Sequence, residues 1–165
     1  MNVGDAKRLL NNGAFHEAAS ILDTLLKSHS NNDELWYLRG ICSLRLKNYE
    51  YAHECFERAV WISKKADYFK MQGLAHLECF ELEEAIEDLN HALKVQPTAS
   101  TYVFLAVVYL LMDNPIASDY LKKAYAQDKK ITKTLLAHFY DVFFKKNPLI
   151  HLKTKEQIET KLGSL

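Results

Sequence analysis

Glycine and proline are scarce in this chain, 5 and 3 among 165 residues. That excludes collagen-like and Gly/Pro-rich low-complexity material and leaves long stretches free to form helix. Cysteine is nearly absent too. Cys42, Cys55 and Cys79 are odd in number and lack C-x-x-C spacing, which excludes a disulfide framework. The expectation is three buried free thiols in a reducing compartment, hence a cytoplasmic protein. No run reaches the ~20 apolar residues that a spanning helix needs. The greasiest stretch, around Leu135–Phe144, is short and contains His138 and Asp141, so membrane insertion is not expected. The N-terminal segment meets acidic residues early and is not expected to be a signal peptide. The phosphate-loop, dinucleotide, nucleophile-elbow and H-E-x-x-H motifs are all missing.

What is present is 48% hydrophobic and 25% charged residue, with a formal net charge of zero. This composition belongs to well-packed helical proteins and gives no overall pull toward nucleic acid or membrane. The zero hides an asymmetry. Residues 1–121 hold 11 Lys plus Arg against 17 Asp plus Glu, and residues 122–165 hold 10 Lys against 4 acids. The basic tail is suited to the acidic body, to an acidic partner or to head-to-tail self-association. Its lysines fall in pairs near helix ends, where they complement the helix dipole. No arginine follows Arg58; base reading favours Arg, Asn and Gln, so nucleic acid is not expected as a partner.

One pattern organises the rest. Trp36, Gly40, Tyr49, Ala52, Phe56 and Ala59 recur downstream as Phe69, Gly73, Leu82, Ala85, Leu89 and Ala92, followed by Pro97. Gly40 to Gly73, Ala52 to Ala85 and Ala59 to Ala92 are each 33 residues apart. A period near 33 built from two helical patterns is the signature of a solenoid. The order and spacing of these residues resemble the tetratricopeptide repeat family. The resemblance implies an all-α, right-handed solenoid of about four helix-turn-helix pairs, with units near 1–32, 33–65, 66–98 and 99–130. Gly40 in mid-helix costs about 1 kcal/mol relative to Ala, which makes sense where the paired helix crosses too closely for a Cβ.

The first unit is partly degenerate: Val3–Asn11 reads as its first helix, Asn11–Gly13 as a turn, and Phe15 to Leu26 as its second helix. The array is expected to begin almost flush with the chain. In the fourth unit Tyr102 and Ala106 take the aromatic and small positions. Ala106 to Ala117 is 11 residues where earlier units have 12, so one residue is missing near the Met112–Asn114 turn. Residues 131–165 read as an apolar capping helix, ended by Asn147 and Pro148. A short basic helix or tail follows, with Thr154 and Gln157 at capping-box spacing, then Ile158, Leu162 and Gly163. The capping helix's apolar residues Leu136, Phe139, Tyr140, Phe143 and Phe144 occupy more than one face. They require a second burial partner, and are candidates for self-association.

The resemblance also implies that the first helix of each unit lines an inner surface that receives an extended or helical peptide. Its inward positions are Tyr37, Leu38, Ile41 and Arg45, then Lys70, Met71, Leu74 and Glu78, then Val103, Phe104, Val107 and Leu110. Some family members hold a chaperone's C-terminal carboxylate with Lys, Asn and Arg. The corresponding positions here are Val3, Lys7, Leu38, Lys70 and Met71 or Phe104, a nearly complete departure. The groove is apolar rather than clamp-like. The expected role is a non-catalytic scaffold or adaptor, chaperone-like in mode, holding an amphipathic segment of another protein. A homodimer that buries the groove or the apolar C-terminal helix is the alternative; an enzyme or phosphate-binding protein is the third reading. No cofactor and no metal are expected. His76 and Cys79 share a helical side, but without further ligands nearby they read as a packed or surface pair. The acidic run Glu78, Glu81, Glu83, Glu84, Glu87 and Asp88 reads as a solvated face.

Overall fold

Five of the described helices carry a side-chain start signal. In the computed structural model, which describes residues 1–145 and Thr160, Asn2 and Asp5 form a reciprocal capping box at the head of α1 (Val3–Asn11). Asn32 accepts from the Leu35 amide ahead of α3 (Asp33–Arg45), and Asn48 from the Tyr51 amide ahead of α4 (Tyr49–Ile62). Thr98 caps α7 (Ala99–Leu111) and Asp128 caps α9 (Lys129–Phe139). These side chains satisfy amide donors that the first helical turn leaves without partners. The remaining helices are α2 (Phe15–Ser28), α5 (Ala66–Glu78), α6 (Leu82–Val95) and α8 (Ala117–Gln127), and a π-helical turn at Tyr140–Phe144 follows α9. The predicted chain end at Asn147, Pro148, Thr154, Gln157, Ile158, Leu162 and Gly163 lies outside the described residues.

The chain divides into two compact units, Met1–Val95 and Gln96–Leu165. In the first, α1 packs on α2, α3 on α4 and α5 on α6, with each pair against the next. In the second, α7 packs on α8, and α9 on both. The architecture is all-α, of the helix-pair solenoid type expected from the repeat.

Every pair reverses through the same device. Gly13, Lys47, Phe80 and Asp113 all adopt positive φ, between 52° and 77°. They stand 34, 33 and 33 residues apart, so the repeat period is written in backbone conformation as well as in side chains. The amide after each one bonds back to a carbonyl five residues earlier, as in Ala14 to Leu9 at 2.9 Å and Asn114 to Tyr109 at 2.8 Å. This is the Schellman closure of a helix end. Gly13 suits that conformation and Asp113 tolerates it, whereas Lys47 and Phe80 are held there by the turn. Asp113 keeps the period, and the missing residue of the fourth pair falls after it. α8 starts only at Ala117 and is 11 residues long where α2, α4 and α6 have 14. Pro115 stands in the turn before that helix.

The core follows a small-against-large rule. A Cβ on Gly40 would lie 2.5 Å from Phe56 Cε1, and one on Gly73 would lie 2.8 Å from Leu89 Cγ. The glycines are notches that seat the large residue 16 positions later, while Ala52, Ala59, Ala85 and Ala92 are themselves fully buried. Cys42 and Cys55 are buried, and burial pushes their thiols up to about 11 and about 12. Cys79 is exposed at the α5 C-cap, contrary to the reading of three buried thiols, because the left-handed turn at Phe80 carries the chain out of the helix pair there.

Candidate functional site

The first helices of the first two pairs, α1 and α3, lie side by side, and between them opens a cleft of ≈ 690 Å³. Leu38, Ile41 and Arg45 contribute from α3, at i, i+3 and i+7 on one helical face. Lys7, Leu10 and Asn11 contribute from α1, with Gly13 and Phe15 from the turn beyond it. The floor is apolar (Leu10, Phe15, Leu38, Ile41) and the rim carries two cations. Lys7 Nζ meets Glu34 Oε1 at 2.7 Å, which ties α1 to α3 at one end. Arg45 is exposed at the other.

The predicted inward residues separate into three groups. Leu38, Ile41 and Arg45 line the cleft. Tyr37 sits instead in a ring cluster, 4.7 Å from Tyr68 and 6.2 Å from Phe56 between centroids. Its hydroxyl is pushed up to about 12 by burial. It joins neighbouring helix pairs. On α5, Lys70 meets Asp67 at 2.6 Å, Met71 is half-buried and Leu74 is 7% exposed. Leu74 is as buried as Leu38 but lies outside the cleft lining, and a charge there would damage the fold before it informed on binding. Glu78 is half-buried. Burial raises its carboxyl above the usual range, while Arg45 and Lys47 pull it back down. The Arg45 end of the cleft thus already holds a carboxylate in its field.

The third group belongs to the second unit. Val103 and Val107 are fully buried, Phe104 nearly so, and Leu110 half-buried. Phe139 of α9 lies edge-on to Phe104 at 5.2 Å and stacks on Phe143 at 5.7 Å. Leu136, Phe139, Phe143 and Phe144 are all within 6% exposure, and Tyr140 is half-buried. The second burial partner that these residues need is their own chain: α9 covers the α7 face that was expected to be groove. The candidate self-association residues are core, whereas Ile131 and Val142 stay exposed on the same segment.

Sequence reasoning missed Leu10, Asn11, Gly13 and Phe15 as site residues, and placed Lys7 only at a clamp-equivalent position. The first pair departs from the repeat pattern and gave no register by which to place Leu10 and Phe15 on a face. The acidic run is not wholly solvated either. Glu81, Glu83, Glu84 and Glu87 are exposed, but the Asp88 side chain is 13% exposed and burial pushes its carboxyl up to about 6. Among the described residues, the group able to hold a metal ion is His53, His76 and Glu81, and it leaves out Cys79. No described helix is long and apolar enough to cross a membrane.

Two stretches of the chain, residues 33–60 and 66–98, match family models described as tetratricopeptide repeat. A thermophilic TPR protein of Thermus thermophilus superposes with a TM-score of 0.75 at 19% identity, covering 98% of this chain and 88% of the other. A MamA fragment from Desulfovibrio magneticus gives 0.70 at 20%, covering 98% and 91%. YrrB, a TPR protein with an unusual peptide-binding site, gives 0.66 at 17%, covering 96% and 83%. No curated protein matches the chain. At such identities the solved structures speak for the fold.

Proposed function

The chain belongs to the tetratricopeptide repeat family, and from that premise we propose that it is a non-catalytic adaptor that holds an amphipathic segment of another protein. The seat is the α1–α3 cleft. The observation that carries this reading is an open, apolar-floored cleft bounded by Lys7 and Arg45 in the folded single chain. By contrast, the corresponding apolar face of α7 is already occupied by Phe139. Such a cleft suits a segment with two or three apolar anchors and an acidic group placed to meet Arg45. Burying each anchor contributes about 1.5–3 kcal/mol. The self-associating alternative draws less support, because the residues that would have driven it are buried within the second unit. Free thiols fit a reducing compartment, and cytoplasmic placement is part of the proposal.

The test uses peptides selected from a random display library on the immobilised full chain. Their affinity is measured by fluorescence polarisation for wild type, Ile41→Glu and Arg45→Glu. Ile41 is only half-buried, so the substitution leaves helicity intact. Removing one anchor and adding a desolvated charge weakens binding at least about tenfold, since 1.4 kcal/mol is a factor of ten. Selected peptides that bind both variants as tightly as wild type would reject the cleft.

A further inference from the structure

We propose that His53, His76 and Glu81 form a site for a divalent first-row transition ion of the zinc type, with Asp88 as the outer partner of His76. The three residues come from different elements of the first unit: His53 from α4, His76 from the last turn of α5, and Glu81 from the reversal into α6. The left-handed Phe80 and the Glu81 amide bond to the His76 carbonyl at 3.0 Å fold the chain back on itself. The Glu81 carboxylate is thereby returned over the imidazole five residues earlier. Its Oε2 lies 2.7 Å from His76 Nδ1. From the facing helix, His53 Nε2 lies 2.5 Å from His76 Nε2 and 3.1 Å from Nδ1, so it meets the ring edge between the two nitrogens and must swing toward Nδ1 to share an ion bound there. All three ligand atoms fall within 4.8 Å of one another. Bonds of 2.0–2.2 Å in a tetrahedral zinc site put ligand atoms roughly 3.3 Å apart, so small side-chain rotations bring this triangle to the required size.

Asp88 supplies the independent observation. Its Oδ2 is buried and has no hydrogen-bond partner, which is costly for a carboxylate. That atom stands 3.4 Å from His76 Nε2. An ion bound through Nδ1 fixes the tautomer that carries hydrogen on Nε2, and a modest turn of the ring brings that hydrogen to the unpartnered Asp88 Oδ2. Carboxylate behind imidazole behind metal is the usual way a ligand histidine is oriented. The surroundings favour a cation. Glu57 acts on His53 and Asp88, and Glu87 on Asp88, in the same direction as the site carboxylates. The His76 side chain is 11% exposed and Glu81 51%, so the site is closed on the helix side and open to water on the other. Two nitrogens and one oxygen with an open position suit zinc and its neighbours rather than calcium or magnesium, which take oxygen alone.

The experiment titrates EDTA-stripped full-length chain with Zn²⁺ in competition with a chromophoric chelator, and with Co²⁺ for its absorption spectrum. The expected result is one ion per chain and a visible Co²⁺ band of tetrahedral type without thiolate charge transfer. His53→Ala and Glu81→Gln abolish binding or weaken it more than tenfold, and Asp88→Asn weakens it roughly 10–100-fold. His16→Ala, at an exposed histidine outside the cluster, binds as wild type. Glu81 is half-exposed, so Glu81→Gln retains the far-ultraviolet dichroism of the folded chain and separates loss of ligand from loss of fold. No saturable binding, unchanged affinity in both His53→Ala and Glu81→Gln, or a charge-transfer band that assigns the ion to cysteine would each overturn the site.

Discussion

Adding a single methyl group at Gly40 tests whether the repeat's small residues are packing notches. A Cβ there would stand 2.5, 2.7 and 3.0 Å from three ring atoms of Phe56. Carbon contacts are comfortable at about 3.5–4.0 Å. Phe56 is fully buried, and an aromatic ring has no flexible end to withdraw. Overpacking of this kind costs about 1–3 kcal/mol, and overlap with three atoms of a stiff ring belongs at the upper end. Alanine's helix propensity returns about 1 kcal/mol. The net expectation for Gly40→Ala is a loss of about 2 kcal/mol. Both tryptophans, Trp36 and Trp61, lie in the first unit, so urea denaturation followed by tryptophan fluorescence reports on it directly. The midpoint falls while the slope stays constant. In the double variant Gly40→Ala/Phe56→Leu the two losses are strongly non-additive, because the smaller side chain vacates the space that the methyl needs. A Gly40→Ala chain more stable than wild type by the propensity difference, or strictly additive losses, would refute the notch.

Further expectations follow from the turns, an ion pair and the second unit. Lys47→Gly relieves a left-handed backbone at 59° and stabilises the chain by about 0.5–1 kcal/mol, while Gly13→Ala, at 77°, costs about as much; thermal melts of both variants decide it. Asp33 meets Lys65 at 2.7 Å and accepts from the Tyr68 hydroxyl at 3.0 Å. The hydrogen bond from Lys65 holds its carboxyl below the ordinary 3.8. That contribution is fully present above pH 3.8 and is lost as pH falls through the lower folded value. Because Lys65 is 54% exposed, Asp33→Asn costs no more than about 1 kcal/mol at neutral pH. The gap to wild type closes in acid and narrows in high salt, and pH-dependent denaturation reads both effects. Phe139→Ala removes a buried ring that covers Phe104. It costs about 3–5 kcal/mol, visible as faster amide exchange in α7 and α9.

What the sequence conveyed well was whatever repeats. Gly40 and Gly73, the buried alanines and the helix limits at Val3–Asn11 or after Pro97 all follow from periodicity and capping chemistry. Lys47, Phe80 and Asp113 were harder to see as a set, because left-handed backbone leaves no residue signature unless glycine occupies it. The inner-surface register placed Leu38, Ile41 and Arg45 on one face, but register says nothing of what covers a face. Phe104 and Val107 occupy equivalent places and are buried, since α9 returns onto α7. The His53–His76 contact spans 23 residues and arises where α4 packs on α5. Local ligand spacing pointed instead to Cys79, which the turn leaves exposed.

The adaptor reading rests on where a bound segment sits. Amide shift mapping of the full chain, titrated with a display-selected peptide, measures that directly. The largest changes are expected at Leu10, Phe15, Ile41 and Arg45, with Val103 and Val107 unmoved. Shifts confined to the second unit, with the α1–α3 residues silent at saturation, would contradict the account.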